Sequence, residues 1–326
     1  MAARKNRPVW SGLVTIYYMN SSVDLLVAGE INPDLILSGN VDPAFSQVEK
    51  LVDSADLTIG SSSVIFACGA ARLGLRVAFV GLCAADPFGR FMLAEMNSRH
   101  VDTSSVLVRS DGQTGLSVIL NRGVDRAILT YPGLVAALTA ADVTDDLLRQ
   151  ARHLHVASYF LQTALQPGLP GLFARAQALG LSTSLDTNWD PFGAWSGFDD
   201  LLPRVDVFLP NENEAFALSG TNDLELSLDH LCEFCKVVAI KMGAGGAVAC
   251  RAGEKAKAPA LKVDLIDTVG AGDSFDAGFL YGFINGWRLQ KSLQLAVACG
   301  SLSTRKPGGT AAQPALDEAM QYVSPA

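Results

Sequence analysis

Apolar residues fall along the chain in short runs separated by longer stretches of small or amphipathic character, the spacing of strands alternating with helices. Val23 to Ala28, Arg76 to Val80, His153 to Ala157, Ser182 to Leu185, Val205 to Leu209 and Val237 to Lys241 read as buried strands, and a shorter one ends over Leu57 to Gly60. A helix is expected from about Leu169 to Leu179, and others end near His100 and Thr304. Strands and helices in this order predict a mostly parallel, doubly wound α/β sheet. Thr114 to Leu120 and Arg126 to Tyr131 instead alternate strand-like on either side of Asn121-Arg122-Gly123-Val124-Asp125, as the arms of a hairpin do.

The stretch with most chemical content is Asp267 to Phe283. Leu261, Val263 and Leu265 alternate as a strand leading into it, and Ala271 to Ile284 has helix length with small or apolar residues nearly all round, so this helix should be buried. Gly270 and Gly272 flank Ala271 where the helix begins, which lets the backbone turn tightly and aim free N–H groups at one spot that favours an anion. Asp273 follows in the first turn and puts a proton acceptor beside that spot; next to a helix N-terminus it is expected to stay ionised at neutral pH. No Gly-Lys-Ser/Thr follows, and no Gly-x-Gly-x-x-Gly leaves the first strand, so this is neither a P-loop nor a dinucleotide fingerprint. The plainer alternative is a helix start that needs glycines for packing and an acid for its dipole.

Composition narrows the picture. A chain of 326 residues, 49% hydrophobic and 18% charged, can bury a large core, and 33 acids against 25 bases, a formal charge of −8, disfavour a general nucleic-acid surface. Cysteines lie mostly in apolar runs, which suits a reducing, cytoplasmic setting. Cys232 and Cys235 form a Cys-x-x-Cys near His230, but without a second ligand pair they read as packed thiols in a helix. His100 reads as a surface residue at a helix C-terminus. No apolar run is long enough to span a bilayer, and residues 1–22 read as a flexible extension ahead of a single domain over 23–326.

The run Gly270-Ala271-Gly272-Asp273 resembles, almost letter for letter, the C-terminal signature of the ribokinase (pfkB) family of carbohydrate kinases. The resemblance implies a ribokinase-like three-layer α/β/α fold with a small β-lid, formed from about 31–58 and 111–131. It also implies that the Gly270, Ala271, Gly272 turn is an anion hole for the transferred phosphoryl group and that Asp273 is the catalytic base. Further motifs follow in the family's order. Asp34, after Gly29-Glu30-Ile31-Asn32-Pro33, matches the Asp that holds sugar hydroxyls, and Gly60 and Ser61 match a glycine pair that contacts the sugar. Asn211-x-x-Glu214 matches the Asn-x-x-Glu motif that organises Mg²⁺, often through water, so Glu214 is the metal-associated residue. Lys241, Gly243 and Gly245 fall beside the nucleotide, together with Thr268 and Gly309 near the phosphates and adenine.

Departures from the family pattern concern the acceptor. Ile65 stands where an Asn is expected, and Trp189 and Asp190 replace an Arg after Asp186 and Asn188, so the family's polar contacts are not inherited whole. Asp186 either orders metal and phosphates or holds its own loop. The expected activity is ATP-dependent phosphoryl transfer to a hydroxyl of a sugar or sugar derivative, with ATP and Mg²⁺ as cofactors and a monovalent cation such as K⁺ left open. A nucleoside or sugar-acid acceptor, or a non-catalytic ligand-binding member, are the alternatives. The lid implies a homodimer.

Overall fold

The computed structural model describes residues 22–122 and 125–324, so all but the end of the expected extension over 1–22, and the Gly123-Val124 tip of the hairpin, lie outside it. In chain order the elements are β1 (Leu25–Ala28), β2 (Pro33–Ser38), β3 (Ser54–Ile59), α1 (Ser62–Arg72), β4 (Val77–Val80), β5 (Leu82–Ala84), α2 (Pro87–Ser98), β6 (Val101–Asp102), β7 (Leu107–Arg109), β8 (Leu116–Arg122), β9 (Asp125–Tyr131), α3 (Asp145–Leu148) and β10 (His153–Val156). They continue with α4 (Leu169–Ala178), β11 (Ser182–Leu185), β12 (Val207–Phe208), α5 (Glu212–Ser219), α6 (Leu224–Cys232), β13 (Val237–Lys241), β14 (Ala247–Arg251), β15 (Glu254–Ala258), α7 (Ala271–Ile284), α8 (Leu289–Ser303) and α9 (Leu316–Met320).

A nine-stranded sheet runs β15-β14-β13-β12-β11-β10-β1-β4-β6, parallel from β13 to β6, with β14 and β15 antiparallel at one edge. Because side chains alternate across a strand, each strand feeds two cores. Leu25, Val27, Val77 and Phe79 pack under α1, α7 and α8, whereas Leu26, Ala28, Leu154 and Val156 pack under α4 and α6. That is the three-layer arrangement the family resemblance implied, built on the mostly parallel, doubly wound sheet predicted by the strand–helix alternation. β1 lies between β4 and β10, and the chain leaves these neighbours in opposite directions, which opens a crevice outside their carboxyl ends.

Over this crevice lies a second sheet, β3-β2-β8-β9. Its register puts Thr58, Asp34, Ser117 and Thr130 side by side, and in the next row Leu57, Leu35, Val118 and Leu129. Adjacent rows point to opposite faces. One face therefore carries Asp34 and Ser117, both buried, while the other is apolar and leaves Leu57, Leu129 and Tyr131 uncovered.

One predicted strand is absent. Residues 259–268 form no strand, because β15 already ends the sheet. The Leu261 N–H instead donates to Ser301 Oγ at 3.1 Å, and those of Ile266 and Asp267 to the Thr304 carbonyl at 2.9 and 3.1 Å. Of the alternating residues only Leu261 and Val263 rest on the core beside α8, while Leu265 faces water. Two smaller differences are that only Val207–Phe208 of the run over 205–209 pairs as a strand, and that Cys235 lies beyond the end of α6, with its thiol free like that of Cys232.

Candidate active site

α7 starts on Gly270, whose φ of 70° is left-handed and suits glycine. A Cβ there would also meet Gly309 Cα at 2.7 Å and Ile65 Cγ2 at 2.9 Å, so Gly270 and Gly309 are packed backbone to backbone. The Ala271 N–H turns back to the Thr268 carbonyl at 3.2 Å, and the Ser274 N–H donates to the Gly270 carbonyl at 2.9 Å. Between them the N–H groups of Gly272 and Asp273 have no acceptor among the described residues. Of the predicted anion hole, these two amides are the open donors, and Ala271 is committed to the turn.

Asp273 is buried. Burial pushes its carboxyl well above the usual range; the nearby Asp186 and Glu30 push the same way, and Lys241 and a hydrogen bond from Ser62 oppose. The helix N-terminus was expected to favour the ionised form; in this dry site desolvation acts in the opposite direction and raises the pKa. Lys241 leaves β13 with its Nζ 2.7 Å from Asp186 Oδ2 and 3.2 and 3.1 Å from the two oxygens of Asp276. Burial works against the ammonium, but Asp186, Asp276 and Glu214 outweigh it and hold its pKa above the usual lysine range. Burial likewise raises Asp186, but the charge of Lys241, together with hydrogen bonds from Asp276, Lys241 and the Asn188 N–H, reverses that and leaves its pKa lowered. A Cβ on Gly272 would lie 3.7 Å from Lys241 Nζ, so the ammonium stands directly behind the open amides.

Asn211 and Glu214 form a reciprocal cap at the start of α5: the Asn211 N–H and side-chain amide donate to Glu214 at 2.8 and 2.6 Å, and the Glu214 N–H returns a bond of 3.0 Å. Burial, then Asp186, pushes the Glu214 carboxyl up to about 7. The donors in this part of the crevice are carboxylate oxygens, which fits Mg²⁺, and Glu214 is already so engaged that contact through a metal-bound water suits it best. Gly243 and Gly245 form an exposed turn between β13 and β14, and Thr268 is exposed beside α7.

On the acceptor side, Asp34 lies against Gly60, where a Cβ would come 2.2 Å from Asp34 Oδ1. Burial pushes the Asp34 carboxyl up to about 7, opposed only by the charge of Arg126 on β9. The Ser61 hydroxyl is spent locally: it accepts from the Val64 N–H at 3.1 Å and lies 2.7 and 3.0 Å from the carbonyl and carboxylate of Glu30. Ile65 packs against Gly270 and Gly309, at the α7 entrance. Asp190 accepts the N–H groups of Phe192 and Trp195 at 2.9 and 2.8 Å and so holds its own loop, on which Trp189 is 61% exposed.

Four residues of the site escaped sequence reading: Glu30, Ser62, Ser158 and Asp276. Glu30 gathers Ser61, Ser63 and Ser158, and Asn188 reaches Ser62 Oγ at 2.6 Å and Ser158 Oγ at 2.9 Å. Ser61, Ser158 and Asn188 all have positive φ, a concentration of strained backbone typical of working sites. The signals that were there to be read are an acid immediately after a strand-exit glycine, for Glu30, and the i, i+3 spacing from Asp273, for Asp276.

A layered α/β fold whose crevice joins an open helix N-terminus to a buried carboxylate is that of a phosphoryl-transfer enzyme. Residues 44–316 match the profile described as pfkB family carbohydrate kinase, and the chain belongs to that family: it is an ATP-dependent sugar kinase. It is 28% identical to the 5-dehydro-2-deoxygluconokinase of Geobacillus thermodenitrificans, covering 92% of this chain and 93% of that one. To the enzyme of the same name from Listeria monocytogenes serotype 4b it is 27% identical, covering 82% and 87%. Among solved structures, an Escherichia coli protein in complex with ATP and Mg²⁺ superposes with a TM-score of 0.82 at 22% identity over 92% of this chain and 98% of that one. Arabidopsis thaliana ribokinase complexed with ribose and ATP gives 0.81 at 20% identity, with the same coverage. Among the described residues no helix is long and apolar enough to cross a membrane.

Proposed function

We propose that the acceptor is a sugar or sugar derivative whose hydroxyl, most simply a primary one, is held between Asp34 and Gly60 and gives its proton to Asp273. One observation carries this reading: a buried carboxylate and two unpartnered amides share the first turn of α7. Gly272 and Asp273 donate to the transferring phosphoryl group on a turn set by Gly270 and Ala271, and Lys241 adds a fixed charge. The loose transition state of phosphoryl transfer asks chiefly for such positioning and neutralisation. ATP extends past Thr268 and the Gly243–Gly245 turn, with Gly309 closing beside the base. Glu214, oriented by Asn211, would hold Mg²⁺ through water, and the ion would supply charge neutralisation at the phosphates. The working unit is residues 23–326, with the lid over 31–58 and 111–131.

A second reading, an acceptor that itself carries a carboxylate, draws on Arg126. It shares the Asp34 face of the lid and reaches to 3.7 Å from Asp267, and the relatives above are named for a sugar acid. The uncovered apolar face of the lid supports a homodimer. Six unpaired cysteines support a reducing, cytoplasmic setting.

The test is ADP release from Mg·ATP across sugars, sugar acids and nucleosides, in K⁺ and in Na⁺, with Asp273→Asn as control. The expected result is acceptor-dependent turnover that falls by a factor of about 10² or more in Asp273→Asn while ATP still binds. Wild-type turnover in that variant would remove the base. Ligand binding without turnover across the whole panel would favour a regulatory role.

A further inference from the structure

Asp276 takes no part in the chemistry described above, yet it is among the most deeply buried acids of the chain and sits one helical turn behind Asp273. Its oxygens, with those of Asp186 and Asp273, fall within 4.8 Å of one another, a spacing at which three carboxylates could hold a metal ion. The Lys241 ammonium already reaches into this cluster, in contact with two of the three. An ammonium has three donors and a flexible four-carbon stem. One contact to Asp186 and two to the oxygens of Asp276 fix its direction, and the end of the side chain lies beside Gly272, where a Cβ would come 3.7 Å from Nζ.

We propose that Asp276 is a positioning residue: together with Asp186 it holds Lys241 against the first turn of α7, so that a tethered cation takes the place of a mobile one among these carboxylates. The proposal rests on the reading of this crevice as the kinase centre. It ties three pieces of chain that meet only in the folded protein, the ends of β11 and β13 and the start of α7, into one charge arrangement behind the open amides. A displacement of the ammonium by about an ångström is enough to cost of the order of 10²-fold in rate.

The experiment is a double-substitution cycle of Asp276→Asn and Lys241→Met, read as kcat and KM for ATP and as the ¹⁵N NMR signal of the Lys241 ammonium. Asp276→Asn should lower kcat roughly 10- to 100-fold with KM for ATP changed by less than about threefold, and should add nothing to the loss already present in Lys241→Met. The ammonium signal, sharp in the wild type because the group is pinned at two points, should vanish in Asp276→Asn. An indifferent kcat, losses that multiply in the double variant, or a retained signal would overturn the proposal. Should Asp276→Asn not fold, Asp276→Ser carries the same cycle. A wild type without turnover would fail the kinase reading alone, because the NMR signal still decides the role of Asp276.

Discussion

Ser158 Oγ donates a hydrogen bond of 2.9 Å to the Glu30 carboxylate, joining the ends of β10 and β1, the neighbours at which the sheet's connections diverge. Asn188 extends the join to β11 and to Ser62 at the start of α1. The floor of the crevice is thus a continuous polar network, and it keeps three non-glycine residues at positive φ. Such conformations persist only where surrounding contacts over-determine them.

Gly60 borders this floor. Replacing it by Ala places a methyl 2.2 Å from Asp34 Oδ1 and 2.8 Å from the Asn32 carbonyl, so the Asp34 carboxylate has to move. Gly60→Ala is expected to raise KM for the acceptor by about tenfold or more while ATP binding is unchanged. Titration of nucleotide alongside steady-state kinetics in the acceptor checks both halves, and an unchanged acceptor KM would detach Asp34 from binding.

Asp34 and Glu214 are each pushed up to about 7 by burial, and Asp273 is raised too. In the roles proposed above all three act as carboxylates, and a raised pKa means that they are protonated below it. The acid limb of kcat/KM, which reports the free enzyme, should therefore fall near pH 7, not near the ordinary carboxylate value of about 4. A pH–rate profile decides; activity held undiminished to pH 5 would contradict it.

Beneath the site, His153 and His155 lie on β10 with rings bonded through Ser182 and Ser184 at 2.7 Å, and His155 Nε2 has no partner among the described residues. Burial lowers both to about 3. The unfolded chain then binds more protons between about 3 and 6.5, so stability rises with pH across that window and is lost as pH falls through it. Asp34 and Glu214 act with the opposite sign between about 4 and 7, and a difference against a variant isolates the histidine. In His155→Asn the slope of unfolding free energy between pH 4 and 6.5 should drop by about 1.4 kcal/mol per pH unit, measured by denaturant titration.

On the far side of the lid, Leu129 is 60% exposed in the row with Val118, Leu35 and Leu57. Leu129→Lys places a charge in this face and should convert a dimer into monomers, read by light scattering on a sizing column. A wild type already monomeric at micromolar concentration would leave the apolar face without this partner.

The local grammar of the chain settled much of this. Alternating strands and helices define the layers, and Gly270-Ala271-Gly272-Asp273 and Asn211-x-x-Glu214 mark two turns, because these features depend on backbone sterics and on neighbours three or four residues away. Asp34 and Gly60 could be named as a pair only through the resemblance to a family, since what joins them is a steric fit across sheet pairing. The run over 261–265 misled because period-two alternation does not report a strand partner, and Leu265 faces water. The upward shift of the Asp273 pKa, the partners of Lys241 and the gathering of serines on Glu30 were decided by the tertiary structure alone. Desolvation and Coulomb interaction act through space between residues more than a hundred positions apart, and no spacing in the sequence records them.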